Sequence, residues 1–174
     1  MKPIETQRLT IRPFLETDLD DLYNLLSNPE VMKYYPSTLD KKEAKEWMER
    51  NWKREQDFGH SLRAIIRKKD SVFVGQCGLV TQDIEGKDMV EVGYMIRNDL
   101  WRQGYATEAL RKILDFSFTE LELHRIEADC ATGNTGSIKV LEKVGMTREG
   151  LCRKILPIRG EWVDNYMYAI LDTD

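Results

Sequence analysis

The hydrophobic positions of this chain change period several times, and each change predicts an element. Leu9 and Ile11 alternate with Arg8, Thr10 and Arg12, which predicts a first strand ending near Pro13-Phe14. Thr17-x-x-Asp20 can cap a helix whose Leu19, Leu22 and Leu26 share one face, and Asn28-Pro29 should stop it. Asp40-x-x-Glu43 should start a second helix, with Ala44, Trp47, Met48, Asn51 and Trp52 on one side and Phe58-Gly59 closing it. Two apolar runs follow, 62–66 and 72–80, joined by the polar turn Lys68-Lys69-Asp70. After a further turn at Glu85-Gly86-Lys87-Asp88, Val90, Val92, Tyr94 and Ile96 alternate, so the three runs read as an antiparallel meander.

The period then becomes helical. Ala106, Ala109, Leu110, Ile113, Leu114, Ser117, Phe118 and Leu121 form a nearly unbroken face. Ile126, Ala128 and Cys130 alternate as a strand, a short helix starts at Asn134, and runs 151–158 and 162–171 flank a turn at Arg159-Gly160. The order is strand, two helices, three strands, helix, strand, helix, two strands. That is a mixed α/β domain with much antiparallel pairing.

Composition narrows the function classes. The 174 residues suffice for one core, so residues 1–174 are expected to form a single domain. With 41% hydrophobic and 32% charged residues, a globular chain is expected rather than a disordered one. The apolar runs are short of a membrane span, and the first residues lack the apolar core of a signal peptide. Cys77, Cys130 and Cys152 fit neither a disulfide framework nor a zinc cluster, so a reducing, cytoplasmic setting is expected and no metal. A net charge of −4 argues against general nucleic-acid affinity. No nucleic-acid or membrane partner is expected, and the chain is expected to be a monomer or homodimer.

Two stretches carry the candidate chemistry. Trp101-Arg102-Gln103-Gly104-Tyr105-Ala106-Thr107-Glu108-Ala109 joins the strand 89–96 to the long helix. The first N–H groups of a helix point outward without partners and carry partial positive charge, and Gly104 and Ala106 would let a diphosphate approach the backbone. Asn134-Thr135-Gly136-Ser137 opens the later helix, and Gly145-Met146 closes it. Together they resemble the GCN5-related N-acetyltransferases, the GNAT family, whose first motif reads Gln/Arg-x-x-Gly-x-Gly/Ala. Trp101 stands where that motif has Gln or Arg. The Asn-x-x-Ser start, Glu91-Val92-Gly93-Tyr94 and Arg148-Glu149-Gly150 look like the branch of ribosomal-protein serine and alanine N-terminal acetyltransferases, and the likeness runs from Thr6-Gln7-Arg8-Leu9 to the last strand.

The resemblance implies a central, mostly antiparallel sheet of six to seven strands flanked by about four helices. It implies that the fourth and fifth strands of the order above splay apart around the pantetheine arm. It implies acetyl-CoA as cosubstrate, held by Met95, Ile96, Trp101, Arg102, Gln103, Gly104, Tyr105, Ala106, Thr107, Asn134 and Ser137. The activity it implies is direct transfer of acetyl to a primary amine, first of all a protein N-terminal α-amine, with ribosomal proteins among the candidates (alternatively a polyamine, amino sugar or amino acid). Direct transfer needs a base for the amine and a donor for the departing sulfur. Glu91 shares a strand face with Gly93 and Met95 just before the glycine turn, so it is the candidate base; pairing with an arginine, or simple exposure, is the rival reading. Ser137 is the candidate acid, with helix capping as the alternative for it and for Asn134. Tyr34 and Tyr35, between the first two helices, and Arg159-Gly160-Glu161-Trp162 are candidate walls of the acceptor cleft. His124 reads as a strand-edge packing residue, His60 as surface, and Cys77 and Cys130 as core. Two other classes stay open. One is a CoA-binding sensor without a competent base. The other is a nucleotide-binding protein, although no Lys-Ser/Thr follows Gly104 as a P-loop requires.

Overall fold

The computed structural model describes residues 2–84 and 87–174. Eight strands form one sheet: β1 (Ile4–Glu5), β2 (Leu9–Arg12), β3 (Leu62–Arg67), β4 (Val72–Ile84), β5 (Lys87–Ile96), β6 (Arg125–Ala131), β7 (Thr147–Ile158) and β8 (Glu161–Leu171). Their spatial order is β1-β2-β3-β4-β5-β6-β8-β7. The strand beyond the expected count is β1, two residues that pair antiparallel with Thr10 and Ile11. The turn expected at Glu85-Gly86-Lys87-Asp88 falls partly on Glu85 and Gly86, which lie outside the described residues.

Four α-helices flank the sheet: α1 (Leu19–Leu26), α2 (Lys41–Phe58), α3 (Tyr105–Thr119) and α4 (Thr135–Lys143). Apolar side chains divide them between two faces. Leu22, Leu25, Leu26, Ala44 and Met48 of α1 and α2 pack with Phe73 and Met95. Ala109, Leu110, Ile113 and Leu114 of α3, with Leu141 of α4, pack with Val90, Val92 and Ile126. Alternation along β5 therefore sends Val92 toward α3 and Met95 toward α1 and α2.

Local signals set several boundaries. Asp40 and Glu43 form the expected capping box, each side chain taking the other's backbone N–H at 2.8 Å. Gly59 ends α2 with φ +75°. The expected cap at Thr17 and Asp20 is not what forms. Asp18 precedes α1 after a short 3-10 turn, and its carboxylate takes the Leu15 N–H at 2.7 Å and the Arg12 guanidinium at 2.6 Å.

His60 is not a surface residue but is 7% exposed; its Nε2 lies 3.2 Å from Thr81 Oγ1 and its ring stacks on Phe58. His124 does not pack at a strand edge. It is exposed, with Nδ1 2.8 Å from Asp172 Oδ1. Cys77 and Cys130 are buried as expected.

The sheet has one weak seam. Every other strand pairing is antiparallel, whereas β5 and β6 are parallel and meet in register at one position, Glu91 with Glu127. Beyond it Val92 to Ile96 have no register partner on β6 among the described residues. On its other edge β5 is held tightly to β4. A Cβ on Gly75 would fall 2.0 Å from the Met95 carbonyl oxygen, so only glycine permits that approach.

Candidate active site

A loop at the end of β5 leads into α3. Arg102 and Gly104 both adopt left-handed backbone, φ +61° and +82°, and Gly104 is the N-cap of α3. Trp101 to Gly104 are exposed, while Tyr105 is buried beneath them. The turn thus offers an open helix N-terminus with no cap from a side chain of Gly104. Trp101 anchors it by donating its indole N–H to the Ile96 carbonyl at 2.7 Å.

A second anchor comes from the start of the chain. Arg8 donates to Glu108 Oε2 at 2.6 Å and to the Gln103 carbonyl at 3.1 Å, and its guanidinium lies 4.6 Å from the centre of the Tyr105 ring. Glu108 Oε1 also accepts the Thr6 hydroxyl at 2.6 Å and the Arg8 backbone N–H at 2.9 Å. These donors hold the Glu108 carboxyl below its usual range against the opposing effect of burial, which is the largest single contribution. A carboxylate in the first turn of α3 would otherwise oppose an anion at that helix end; Arg8 neutralises it. Sequence reading missed this brace because its partners lie 100 residues apart.

The expected cofactor residues are thus not equivalent. Trp101, Arg102, Gln103, Gly104, Ala106 and Thr107 frame the helix opening. Tyr105 supports it from beneath, its hydroxyl taking a hydrogen bond from Arg67 at 3.3 Å. Ile96 gives its carbonyl to Trp101. Met95 turns its carbonyl toward Gly75, and its sulfur accepts the Gln76 amide at 3.3 Å, so it faces β4 rather than the seam.

Past Glu91 the seam opens between β5 and β6, and α4 begins at its far side. Asn134 caps α4, its Oδ1 accepting the Ser137 N–H at 3.2 Å. The expected Asn134–Ser137 pair is therefore joined as a helix cap. Ser137 Oγ lies 2.6 Å from the hydroxyl of Tyr94, a half-buried β5 residue that the sequence pattern marked only as strand. Cys130 Sγ is close by, 3.8 Å from the Asn134 carbonyl, and burial pushes its thiol up. The loop at the end of β5, the parted strands and the Ser137 hydroxyl thus lie along one side of the sheet seam.

Glu91 faces the α1 and α2 side. Its carboxylate accepts Gln82 Nε2 at 2.6 Å. Burial, then the nearby Asp129, raise its pKa, and Glu127 adds to the rise while Gln82 opposes it. No arginine pairs with it among the described residues. Glu127 instead pairs with Arg125 at 2.7 Å, and Asp129 accepts Asn165 at 2.5 Å. Tyr35 is half-buried beside Asp129, its phenol pushed up to about 12 by burial first and by Asp129 second. Tyr34 donates to the Gly133 carbonyl at 2.6 Å, bridging the α1–α2 connection to the β6–α4 turn. Arg159 of the last hairpin reaches the Met32 carbonyl at 3.5 Å, and Trp162 beyond it is 59% exposed. The last hairpin therefore touches the α1–α2 connection at Met32.

Comparison with known proteins finds relatives in sequence and in fold. The acetyltransferase (GNAT) domain family matches residues 8–147. The uncharacterized N-acetyltransferase YnaD of Bacillus subtilis (strain 168) is 36% identical over 172 residues, covering 98% of each chain. The structure of a GNAT-family acetyltransferase from Bacillus anthracis superposes with a TM-score of 0.87 at 32% identity, over 99% of this chain and 100% of that one. Two more distant structures share the fold alone. Ribosomal-protein-S5-alanine acetyltransferase from Vibrio fischeri has a TM-score of 0.83 at 19% identity, over 100% and 98% of the chains. Spermidine N-acetyltransferase from Vibrio cholerae, solved with CoA and spermine, has 0.82 at 23%, over 97% and 98%.

Proposed function

The chain belongs to the GNAT family of acetyltransferases, and from that premise we propose that it moves acetyl from acetyl-CoA to the α-amine of a protein N-terminus. The observation that carries the reading is the opened seam, with the braced helix end at one side, Ser137 at the other, and the Glu91 carboxylate on the acceptor face.

Acetyl-CoA supplies the activated acyl group as a thioester. The backbone of Arg102 to Ala106 holds the diphosphate, and the free edge of β5 near Tyr94 and Ile96 meets the amide-bearing arm. Glu91 takes the proton of the attacking amine, directly or through one water. Its raised pKa makes it a better proton acceptor than an ordinary carboxylate. The carbon–nitrogen bond forms, the carbon–sulfur bond breaks, and the electron pair stays on sulfur. Ser137 donates a hydrogen bond to that sulfur. An α-amine, with a pKa of about 7.7–8.0, is partly neutral at physiological pH and asks little of the base.

A second acceptor class has a specific feature in its favour. Glu91 and Asp129 bring two carboxylates together on one face, with the Arg125-paired Glu127 beside them, which suits a polyamine. The deciding experiment is a screen of N-terminal peptides and polyamines, read by free thiol release. Faster turnover of Ser- or Ala-starting peptides supports the first reading; faster turnover of spermidine overturns it. A chain that binds acetyl-CoA but acetylates nothing would be a sensor, and binding of ATP in preference to acetyl-CoA would remove the site assignment.

A further inference from the structure

The Tyr94–Ser137 contact has a direction. Tyr94 OH lies 2.6 Å from Ser137 Oγ and 3.2 Å from the Ser137 carbonyl oxygen. Both ends are fixed: Asn134 caps the Ser137 N–H, and the Tyr94 ring packs on the core beneath α3. Each hydroxyl has one proton to give. If Ser137 gave its proton to Tyr94, none would be left for a sulfur leaving at the mouth of the seam. If Tyr94 gives its proton to Oγ, across the shorter of its two contacts, the serine proton is left for a sulfur: that of Cys130, which Ser137 also faces, or that of CoA when it is bound.

We propose that Tyr94 is a positioning residue, donating its hydroxyl proton into Ser137 Oγ and so aiming the serine proton at the sulfur of CoA as negative charge builds there. The inference rests on the proposed role of Ser137. Burial raises the Tyr94 pKa well above that of an ordinary phenol, so the hydroxyl remains a donor throughout the working pH range. The neighbouring Cys130 thiol is pushed up likewise and stays neutral. A donor behind a donor polarises it, so Ser137 binds a thiolate more strongly than it would alone. No proton leaves Tyr94: the carbon–sulfur bond breaks, sulfur keeps the pair, and Ser137 hydrogen-bonds to it.

The test uses Tyr94→Phe, Ser137→Ala and the double variant, with two readouts. The first is the thiol pKa of bound CoA, followed by ultraviolet thiolate absorbance, which needs no acceptor. The second is kcat with the best amine. Tyr94→Phe should raise the bound-thiol pKa by about one unit, equivalent to a tenfold change in thiolate stabilisation, with the Kd for CoA changed less than threefold at a pH where the thiol is protonated. It should lower kcat by about tenfold, and the double variant should be no worse than Ser137→Ala. Unchanged thiol titration in Tyr94→Phe overturns the proposal, as does a loss that multiplies fully on the Ser137→Ala background. A wild-type protein whose bound CoA titrates as free CoA would instead sink the role of Ser137 itself.

Discussion

Gly104 separates two properties of the loop, conformational tolerance and charge, and three substitutions there test both. With φ at +82°, alanine should cost about 1–2 kcal/mol for left-handed backbone. The added Cβ would meet Arg8 Nη2 at 3.4 Å, the edge of ordinary van der Waals contact, so contact adds little. In a chain of this size that is a fall in Tm of about 2–8 °C. Asparagine and aspartate tolerate this conformation better and should melt closer to wild type. Affinity should rank differently. A carboxylate about 4 Å from a diphosphate carrying about two charges costs about 2 kcal/mol even with water-like screening, which is about thirtyfold in Kd. Gly104→Asp should therefore bind acetyl-CoA about thirtyfold more weakly than its neutral twin Gly104→Asn, measured by calorimetry at low salt, with the gap narrowing as salt rises. Equal affinity of the two would show that no diphosphate lies against this loop. An unchanged Tm for Gly104→Ala would refute the strain argument.

Two further outcomes follow from buried charge. Glu91→Gln should retain acetyl-CoA affinity while cutting turnover about a hundredfold, most for a lysine-like amine. Because the Glu91 pKa is raised in the folded state, its ionisation costs stability that is absent below the ordinary carboxylate range and fully present above its own pKa. Melting curves of Glu91→Gln should thus match wild type in acid and lie above it at neutral pH; the opposite trend would mean that the native carboxylate is stabilised. Glu55→Ala should cost about 1.5–3 kcal/mol, because it removes the carboxylate that accepts Arg63 Nε at 3.1 Å and Nη2 at 2.5 Å. Chemical denaturation checks this; an unchanged stability would show that the contact contributes nothing.

What could be read from the sequence was local or repetitive. The Asp40–Glu43 box is written within four residues, and the α3 face repeats its apolar spacing over four turns, so both are legible one window at a time. The strand that carries Glu91 and the helix start that carries Ser137 were legible through spacing and motif order. The rest depends on pairings that no window contains. Tyr94 looks like any alternating strand residue until the seam opens and α4 presents Ser137 to it. Arg63 sits inside an apolar run because Glu55 and the Phe116 ring, 5.5 Å away, wait on two different helices. His60 follows a turn glycine, a context shared with countless surface histidines, yet Thr81 and Phe58 enclose it. Strand alternation sends the Met95 carbonyl to β4 and that of Ile96 toward the loop, a difference that only the pairing of β5 reveals.

Thr6 and Arg8 both fasten to Glu108, and Arg8 goes on to the Gln103 carbonyl. Residues 6 and 8 are thus part of the mechanical support of the α3 N-terminus. Handling of the protein inherits this. An affinity tag fused ahead of residue 6, or a protease nick behind it, would load the same side chains that steady the glycine turn, and the damage would be scored as weak acetyl-CoA binding. A tag placed after Asp174 pulls on β8, between β6 and β7, and leaves these contacts alone. Kinetic constants for the two preparations should differ in KM for acetyl-CoA before they differ in anything else.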